Sequence, residues 1–281
     1  MFKKFFKTNP GNDEMSFFDH IEALRWHVLR SLVVVLIGTI VVFIKITYIY
    51  DNVIMAPTRH TFITYKVFCK FGHIMGMGDK LCLDDVKISF QNFQLSGQFL
   101  QAISSSFIFG LVLSAPYTLW ELWRFIKPAM KDNELKYSRG FVFWTSFLFF
   151  SGVAFGYFVI TPYTVNFFAA YSISASIQNI ITIKSYLTTL QQIILGTGLL
   201  FELPILTYFL AEVGVVTADF LRTYRKHAVV IIVILSAIIT PPDVASQIIV
   251  AIPLMGLYEI SIWIAKRVER KKRIYDEKEW S

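Results

Sequence analysis

Two long stretches of this chain carry no charged side chain. None lies between Lys87 and Glu121, and none lies between Arg139 and Lys184. Such stretches are typical of membrane-spanning helices, which need about 20 predominantly apolar residues to cross the hydrocarbon core. The composition agrees, because only 17% of the residues are charged, against about 25% in soluble domains. We therefore expect an all-α polytopic membrane protein.

The apolar runs predict six transmembrane helices within a single membrane domain that covers residues 1–281. The runs lie at about 31–50, 99–120, 140–160, 187–211, 228–240 and 247–265. The fifth run is short for a bilayer crossing and ends at Pro241 and Pro242, which cannot continue a helix. We expect the last two helices to be short, and we expect Pro162 to end the third helix near its outer end.

The distribution of basic residues predicts the orientation. If the N-terminus is cytoplasmic, 20 of the 27 Lys and Arg residues fall on that side. Cytoplasmic loops of membrane proteins carry an excess of Lys and Arg. Both termini are therefore expected in the cytoplasm, and the last two runs should form a hairpin that completes an even number of crossings.

The loop at residues 51–98 is then extracytoplasmic. Residues 63–68 show a strand-like alternation of apolar side chains, and we expect the loop to form an ordered cap. It holds both cysteines of the chain, Cys69 and Cys82. A disulfide is permitted outside the cytoplasm, so either a disulfide between them or two free thiols fits the sequence.

The sequence contains no pattern of an enzyme. It has no P-loop, HExxH or CxxC motif, and the spacing of His20 and His27 favours interfacial polar residues over a metal site. We expect no catalytic residue, no metal, no cofactor and no nucleic-acid partner. The exceptional residue is Glu202, within the fourth apolar run, because a charge at that depth costs at least ~2.5 kcal/mol and usually marks a functional site.

Several carboxylates lie near the expected cytoplasmic interface. Glu22 precedes the first run, and Glu121 can pair with Arg124 at a spacing of three residues. Glu134 follows in the next loop. A carboxylate at a membrane surface can accept two hydrogen bonds from an incoming guanidinium group, although a solvated loop acid is the alternative.

Four segments resemble the TatC family, the core receptor of the twin-arginine protein translocase. They read LSAP at residues 113–116, FIKPA at 125–129, FELP at 201–204 and TPPDVASQ at 240–247. The last string, placed between two short spans, is highly specific. The resemblance runs from about residue 17 to residue 267, which is nearly the whole chain.

The resemblance implies a concave, glove-like arrangement of six helices in the bacterial cytoplasmic (inner) membrane. TatC proteins bind twin-arginine signal peptides at the cytoplasmic face. Together with single-span partners of the TatA and TatB type, they transport folded proteins at the expense of the proton-motive force. Self-association and contact with the lipid bilayer are expected as well.

The resemblance also assigns roles to single residues. Glu134 matches the acid that receives the signal peptide, and Phe125 and Pro128 match residues that shape the same surface. Glu22 is expected to be the second acid of that site. It stands one place before the usual position of this acid, which holds Ala23 here.

Within the membrane, Glu202 matches the embedded acid on the concave face of TatC proteins. Thr240 and Gln247 match polar positions that contact the single-span partner helices, although the two side chains could instead pair with each other. Asp243, between them, is expected to cap the sixth helix because Asp is a favourable N-cap residue.

Two other functional classes fit an isolated intramembrane carboxylate. One is a proton- or ion-coupled secondary transporter that uses Glu202 as its proton site, and the other is a membrane scaffold without a ligand. A transporter would be favoured by inverted repeats and by a second buried ionisable group, and the sequence indicates neither.

Overall fold

The computed structural model describes residues 17–59, 61–74, 89–127, 140–174, 176, 179–241 and 243–279. Most of this part of the chain is helical. The helices are α1 Phe17–Ile44, α2 Ile46–Ile49, α3 Ile63–Ile74, α4 Gly97–Ile126, α5 Phe141–Phe155, α6 Thr161–Ala170, α7 Ile183–Leu200, α8 Leu203–Val213, α9 Ala218–Thr223, α10 Arg225–Ile239 and α11 Val244–Glu279. Two short strands, β1 Phe90–Gln91 and β2 Ile181–Thr182, pair in parallel.

Within the part of the chain that the structure describes, five helical segments are long and apolar enough to cross a membrane. They are Glu22–Ile44, Gly97–Ile126, Phe141–Ala170, Ile183–Val213 and Val244–Ile274. The remaining predicted crossing, α10, has 15 residues and so spans about 22 Å of a hydrocarbon core that is about 30 Å thick. The fifth crossing is therefore short, as the sequence predicts.

The last helix is longer than expected. Helix α11 has 36 residues, because it does not end with the apolar run at Ala265. It continues through a segment rich in Lys, Arg and Glu, which are good helix formers. The first helix also differs from the predicted run, since α1 begins before the apolar residues and ends at Ile44, where Lys45 interrupts the regular backbone.

Helices α1 and α4 pack closely along each other. At Gly38 and Gly110 the two backbones approach so tightly that a Cβ atom on Gly110 would lie 2.5 Å from the backbone nitrogen of Thr39. Small residues at a helix crossing permit this approach, and dispersion contacts rather than water exclusion then hold the pair together in lipid. Helix α4 also contacts α5, which in turn packs on α7.

Helix α7 is buried along much of its length. Leu187 and Ile193 are inaccessible to solvent, and Leu190 and Ile194 nearly so. It packs against α4, α5 and α10. Helix α8 follows it after a turn at residues 201 and 202.

Pro162 does not end the third span, contrary to the prediction. A π-helical turn at Gly156–Ile160 joins α5 to α6, and the helix continues to Ala170. Pro162 stands in the first turn of α6, where the absence of an N–H is best tolerated. The hydroxyl of Thr161 donates to the carbonyl of Gly156 at 2.9 Å, inside the wide turn.

The expected strand at residues 63–68 is wrong, because this segment belongs to α3. The alternation was too short to distinguish a strand from one turn of a helix.

Tyr65 donates to the carbonyl of Pro57 at 2.7 Å, and burial raises its pKa to about 12, so it remains a neutral donor. Tyr157 and Tyr186 donate in the same way to the carbonyls of Val53 and Ile54. The described part of the outer cap is thus tied to the spans by tyrosine hydroxyls.

Candidate functional site

A buried carboxylate joins the N-terminal half of α1 to the C-terminal part of α4. Glu121 of α4 is only 1% exposed. Its Oε2 lies 2.5 Å from Nδ1 of His27 on α1, and its Oε1 accepts hydrogen bonds from Tyr117 at 2.9 Å and Arg124 at 3.3 Å. Three donors around one carboxylate offset the cost of removing it from water.

Aromatic rings extend this cluster toward the end of α4. The ring of His27 meets the ring of Phe125 edge-on, with 6.2 Å between the centroids. The guanidinium of Arg124 lies 4.9 Å from the centre of the Trp120 ring. Phe125 is half-buried, and α4 ends one residue later.

Glu22 lies on the same end of the α1–α4 pair. It is exposed and stands five residues before His27, which corresponds to about 7.5 Å along the helix axis. The structure therefore brings two of the predicted site residues, Glu22 and Phe125, to one end of two packed helices. Glu134 and Pro128 lie outside the described residues, and their roles stay predictions.

Glu202 occupies a break in the fourth span. It is the residue immediately before α8, whose first turn contains Pro204. Its backbone carbonyl accepts from the amides of Ile205 and Leu206 at 3.0 Å, whereas its side chain does not cap the helix. Its Oε1 is buried and finds no hydrogen-bond partner among the described residues. A carboxyl group in this state attracts a polar partner or a proton.

Thr240 and Gln247 do not bond to each other. Thr240 is 3% exposed and donates to the carbonyl of Ser236 within its own helix at 2.9 Å. Gln247 is half-buried, and its Nε2 donates to the carbonyl of Val233 at 3.0 Å, which ties α11 to α10. Asp243 caps α11 as expected, since its Oδ1 accepts from the amide of Ser246 at 2.7 Å.

Cys69 is disulfide-bonded. Cys82 lies outside the described residues, so its pairing with Cys69 stays a prediction. Among the residues that the structure describes, no group of three or more His, Cys, Asp or Glu side chains is placed to hold a metal ion.

The contact between His27 and Glu121 was missed by the sequence analysis. Glu121 was expected to pair with Arg124, and it does. It is also a second buried ionisable group of the protein, in addition to Glu202. The available signal was a His and a Glu near the same end of two adjacent spans. Because three donors already hold Glu121, it is not an unpaired proton site of the transporter class.

Comparisons with known proteins agree with this geometry. Residues 19–253 match the model of the family described as Sec-independent protein translocase protein (TatC). The TatC protein of Blattabacterium sp. subsp. Periplaneta americana is 40% identical over 261 residues, which cover 92% of this chain and 98% of that protein. TatCy of Bacillus subtilis is 34% identical over 189 residues, 67% of this chain and 74% of the relative.

Solved structures match as well. A crystal structure of the twin-arginine translocase receptor TatC superimposes with a TM-score of 0.69 and 26% identity, covering 89% of this chain and 99% of the other. A second structure of TatC, in the detergent DDM, gives a TM-score of 0.70. The expectation of an all-α polytopic membrane fold is thereby confirmed. The chain belongs to the TatC family and is a component of the twin-arginine protein translocase.

Proposed function

We propose that this chain is the signal-peptide receptor of its translocase and that the peptide binds where α1 and α4 end together. The main observation that supports this proposal is the buried contact between His27 and Glu121. It holds the start of α1, with Glu22, beside the end of α4, with Phe125. An extended peptide that reaches this end would meet an acid on one helix and an aromatic ring on the other.

The chemistry of the twin-arginine motif suits such a site. A guanidinium group forms two parallel hydrogen bonds with a carboxylate. Glu134, in the loop that follows α4, is proposed to receive the arginine pair, with Glu22 assisting and with Phe125 and Pro128 shaping the surface. Charge-assisted hydrogen bonds of this kind contribute roughly 1.5–3 kcal/mol each.

We place this end of the helices in the cytoplasm of a bacterium and the protein in its inner membrane. The excess of Lys and Arg on the side of the termini supports this orientation. In this arrangement both termini are cytoplasmic and the α3 cap faces outward. Transport of folded cargo across the membrane would draw on the proton-motive force.

Single-span partners of the TatA and TatB type are proposed to dock within the membrane. Glu202 supports this part of the proposal, because its buried Oε1 lacks a hydrogen-bond partner in the described residues. Gln247 is the more accessible of the two predicted contact residues, since the hydroxyl of Thr240 is enclosed and bonded within α10. Self-association of the protein is proposed as well.

Site-specific photocrosslinking tests the receptor function. A photoreactive residue at position 134 should yield an adduct with a twin-arginine signal peptide and a much weaker one with the matched twin-lysine peptide. The same probe at exposed Lys184, at the opposite end of the spans, is the control. An equal yield from both positions, or from both peptides, would refute the proposal.

A further inference from the structure

The part of α11 that follows the apolar run has one face buried against the protein. Ala265 and Val268 are buried and pack with Ala211 and Ala218. The ammonium group of Lys272 donates to the backbone carbonyls of residues 211 and 212. These contacts fix which side of the helix faces outward.

One more hydrogen bond holds the buried face of α11 against the protein. Oε1 of Glu269 accepts from the amide of Ala218 at 2.7 Å. The acid nearest to the outward cations in the helix is therefore already engaged with the backbone of α9. Its charge is directed toward the protein and away from the opposite face.

The outward face carries cations at helical spacing. Lys266, Arg267, Arg270 and Arg273 are all exposed, and positions three and four apart lie on one side of a helix. Within the described residues, no acidic side chain forms an ion pair with any of the four. We call these four residues, together with Trp263, the basic face of α11.

Trp263 marks the start of the basic face. The residue is 58% exposed, and the guanidinium carbon of Arg267 lies 4.6 Å from the centre of its ring. Tryptophan is enriched at the boundary between hydrocarbon and headgroups. An arginine stacked on such a ring keeps its N–H groups at the edge of the stack, where they can donate to phosphate oxygens.

The neighbouring helix adds further charge. Arg225 forms an ion pair of 2.7 Å with Glu259, one turn before Trp263, and so brings the start of α10 against α11. Arg222 of α9 pairs with Asp219 at 3.6 Å, whereas Lys226 of α10 is exposed and forms no ion pair within the described residues. Lys226 therefore adds one more cation near the start of the basic face of α11.

We propose that the basic face of α11 binds the headgroups of anionic phospholipids. The position of the basic face along α11 favours a lipid over a soluble acidic partner. The apolar run ends at Ala265, which places Lys266 at the boundary of the hydrocarbon core. Arg270 lies only about 6 Å farther along the helix, within the headgroup layer that extends about 5–7 Å from the core. A cation near an anionic surface gains about fivefold in affinity, so four aligned cations select strongly for negatively charged lipids.

Lipid retention by the purified protein tests this inference. The full chain in detergent is mixed with equal amounts of phosphatidylglycerol and phosphatidylcholine, and native mass spectrometry counts the lipids that remain bound. The wild-type protein should prefer phosphatidylglycerol by about tenfold or more. The variant K266Q/R267Q/R270Q/R273Q should approach equal retention, and the milder R267Q/R270Q should fall between them.

The matched control removes four exposed cations at the opposite end of the spans. The variant K45Q/K66Q/K70Q/K184Q makes the same change in net charge and should keep the lipid preference. An unchanged preference in the basic-face variants would overturn the proposal. An equal loss in the control variant would also overturn it, because the effect would then reflect net charge alone.

Each variant must show the same elution profile on size exclusion as the wild type. If the quadruple variant fails this criterion, the double variant decides the question.

Discussion

The hydroxyl of Thr64 donates a hydrogen bond of 2.6 Å to the carbonyl oxygen of Phe158. An uninterrupted α-helix would pair that carbonyl with the N–H four residues later. Position 162 is a proline, which has no N–H to donate. Thr64 is buried, so the bond is shielded from water. Helix α3 of the outer cap therefore supplies the donor that Pro162 withholds from its own helix.

This relationship predicts an energetic coupling between the two positions. Thr64→Val should lower the free energy of unfolding by about 0.5–1.5 kcal/mol, because it removes the hydrogen bond that the Thr64 hydroxyl donates to the carbonyl of Phe158. In a Pro162→Ala background the backbone regains a donor, so the same change should cost less. Unfolding of the four proteins in one detergent measures the difference, with Thr61→Val at an exposed position as the control. Equal costs in both backgrounds would contradict the coupling.

The transmembrane helices could be predicted from the sequence, because each crossing needs an apolar run of minimum length. The helix ends could not. A π-helical turn that no local pattern indicates precedes Pro162 and lets the span continue through α6. Helix α11 continues past Ala265 because its charged residues also favour a helix. The segment at α3 was too short for its periodicity to distinguish helix from strand.

Only part of the candidate site could be predicted from the sequence, because the rest depends on contacts between residues far apart in the chain. The resemblance selected Glu22 and Phe125, which do lie at one end of the packed pair. The contact between His27 and Glu121 joins residues 94 positions apart, and it depends on which faces of α1 and α4 meet. That rotation is set by the close approach at Gly38 and Gly110, far along the helices from the site.

A second prediction concerns the buried carboxylate. His27→Leu should destabilise the protein by about 1–3 kcal/mol, because it removes one hydrogen-bond partner of a buried carboxylate while Tyr117 and Arg124 still contact Glu121. The double variant H27L/E121L should be more stable than H27L, since it no longer buries an undercompensated charge. Thermal unfolding measures both, with His227→Leu at an exposed histidine as the control. A double variant that is less stable than H27L would refute this account of the pair.

A third prediction concerns the acids of the proposed receptor site. Glu134→Gln should weaken binding of a fluorescent twin-arginine peptide by about 10- to 100-fold, the equivalent of one charge-assisted contact. Glu22→Gln should have a smaller effect, and Glu134→Arg should abolish transport while the protein still inserts. Asp132→Asn, two residues away in the same loop, is the matched control. Normal transport by a stably inserted Glu134→Arg protein would exclude the assigned role.

A fourth prediction concerns the outer cap. If Cys69 pairs with Cys82, the bond closes a loop of about 14 residues and stabilises the fold by roughly 3 kcal/mol in the chain-entropy model. Thiol labelling of the unreduced protein should then find no free cysteine, and the variant C69S/C82S should unfold earlier by that amount. Labelling of both thiols in protein taken from its native membrane would disprove the pairing.

The last prediction separates the two residues proposed to contact a partner helix. Hydrogen bonds between helices in lipid contribute about 0.6 kcal/mol on average and up to ~1–2 kcal/mol, enough to fix the register of a docked helix. Gln247→Leu should therefore reduce copurification of the single-span partner by a few fold at an unchanged level of this protein. Thr240→Val should change recovery little, because the hydroxyl of Thr240 is buried and bonded to Ser236. If Thr240→Val alone releases the partner, the threonine must leave its intrahelical bond on docking. If neither change nor their combination affects recovery, the partner binds elsewhere.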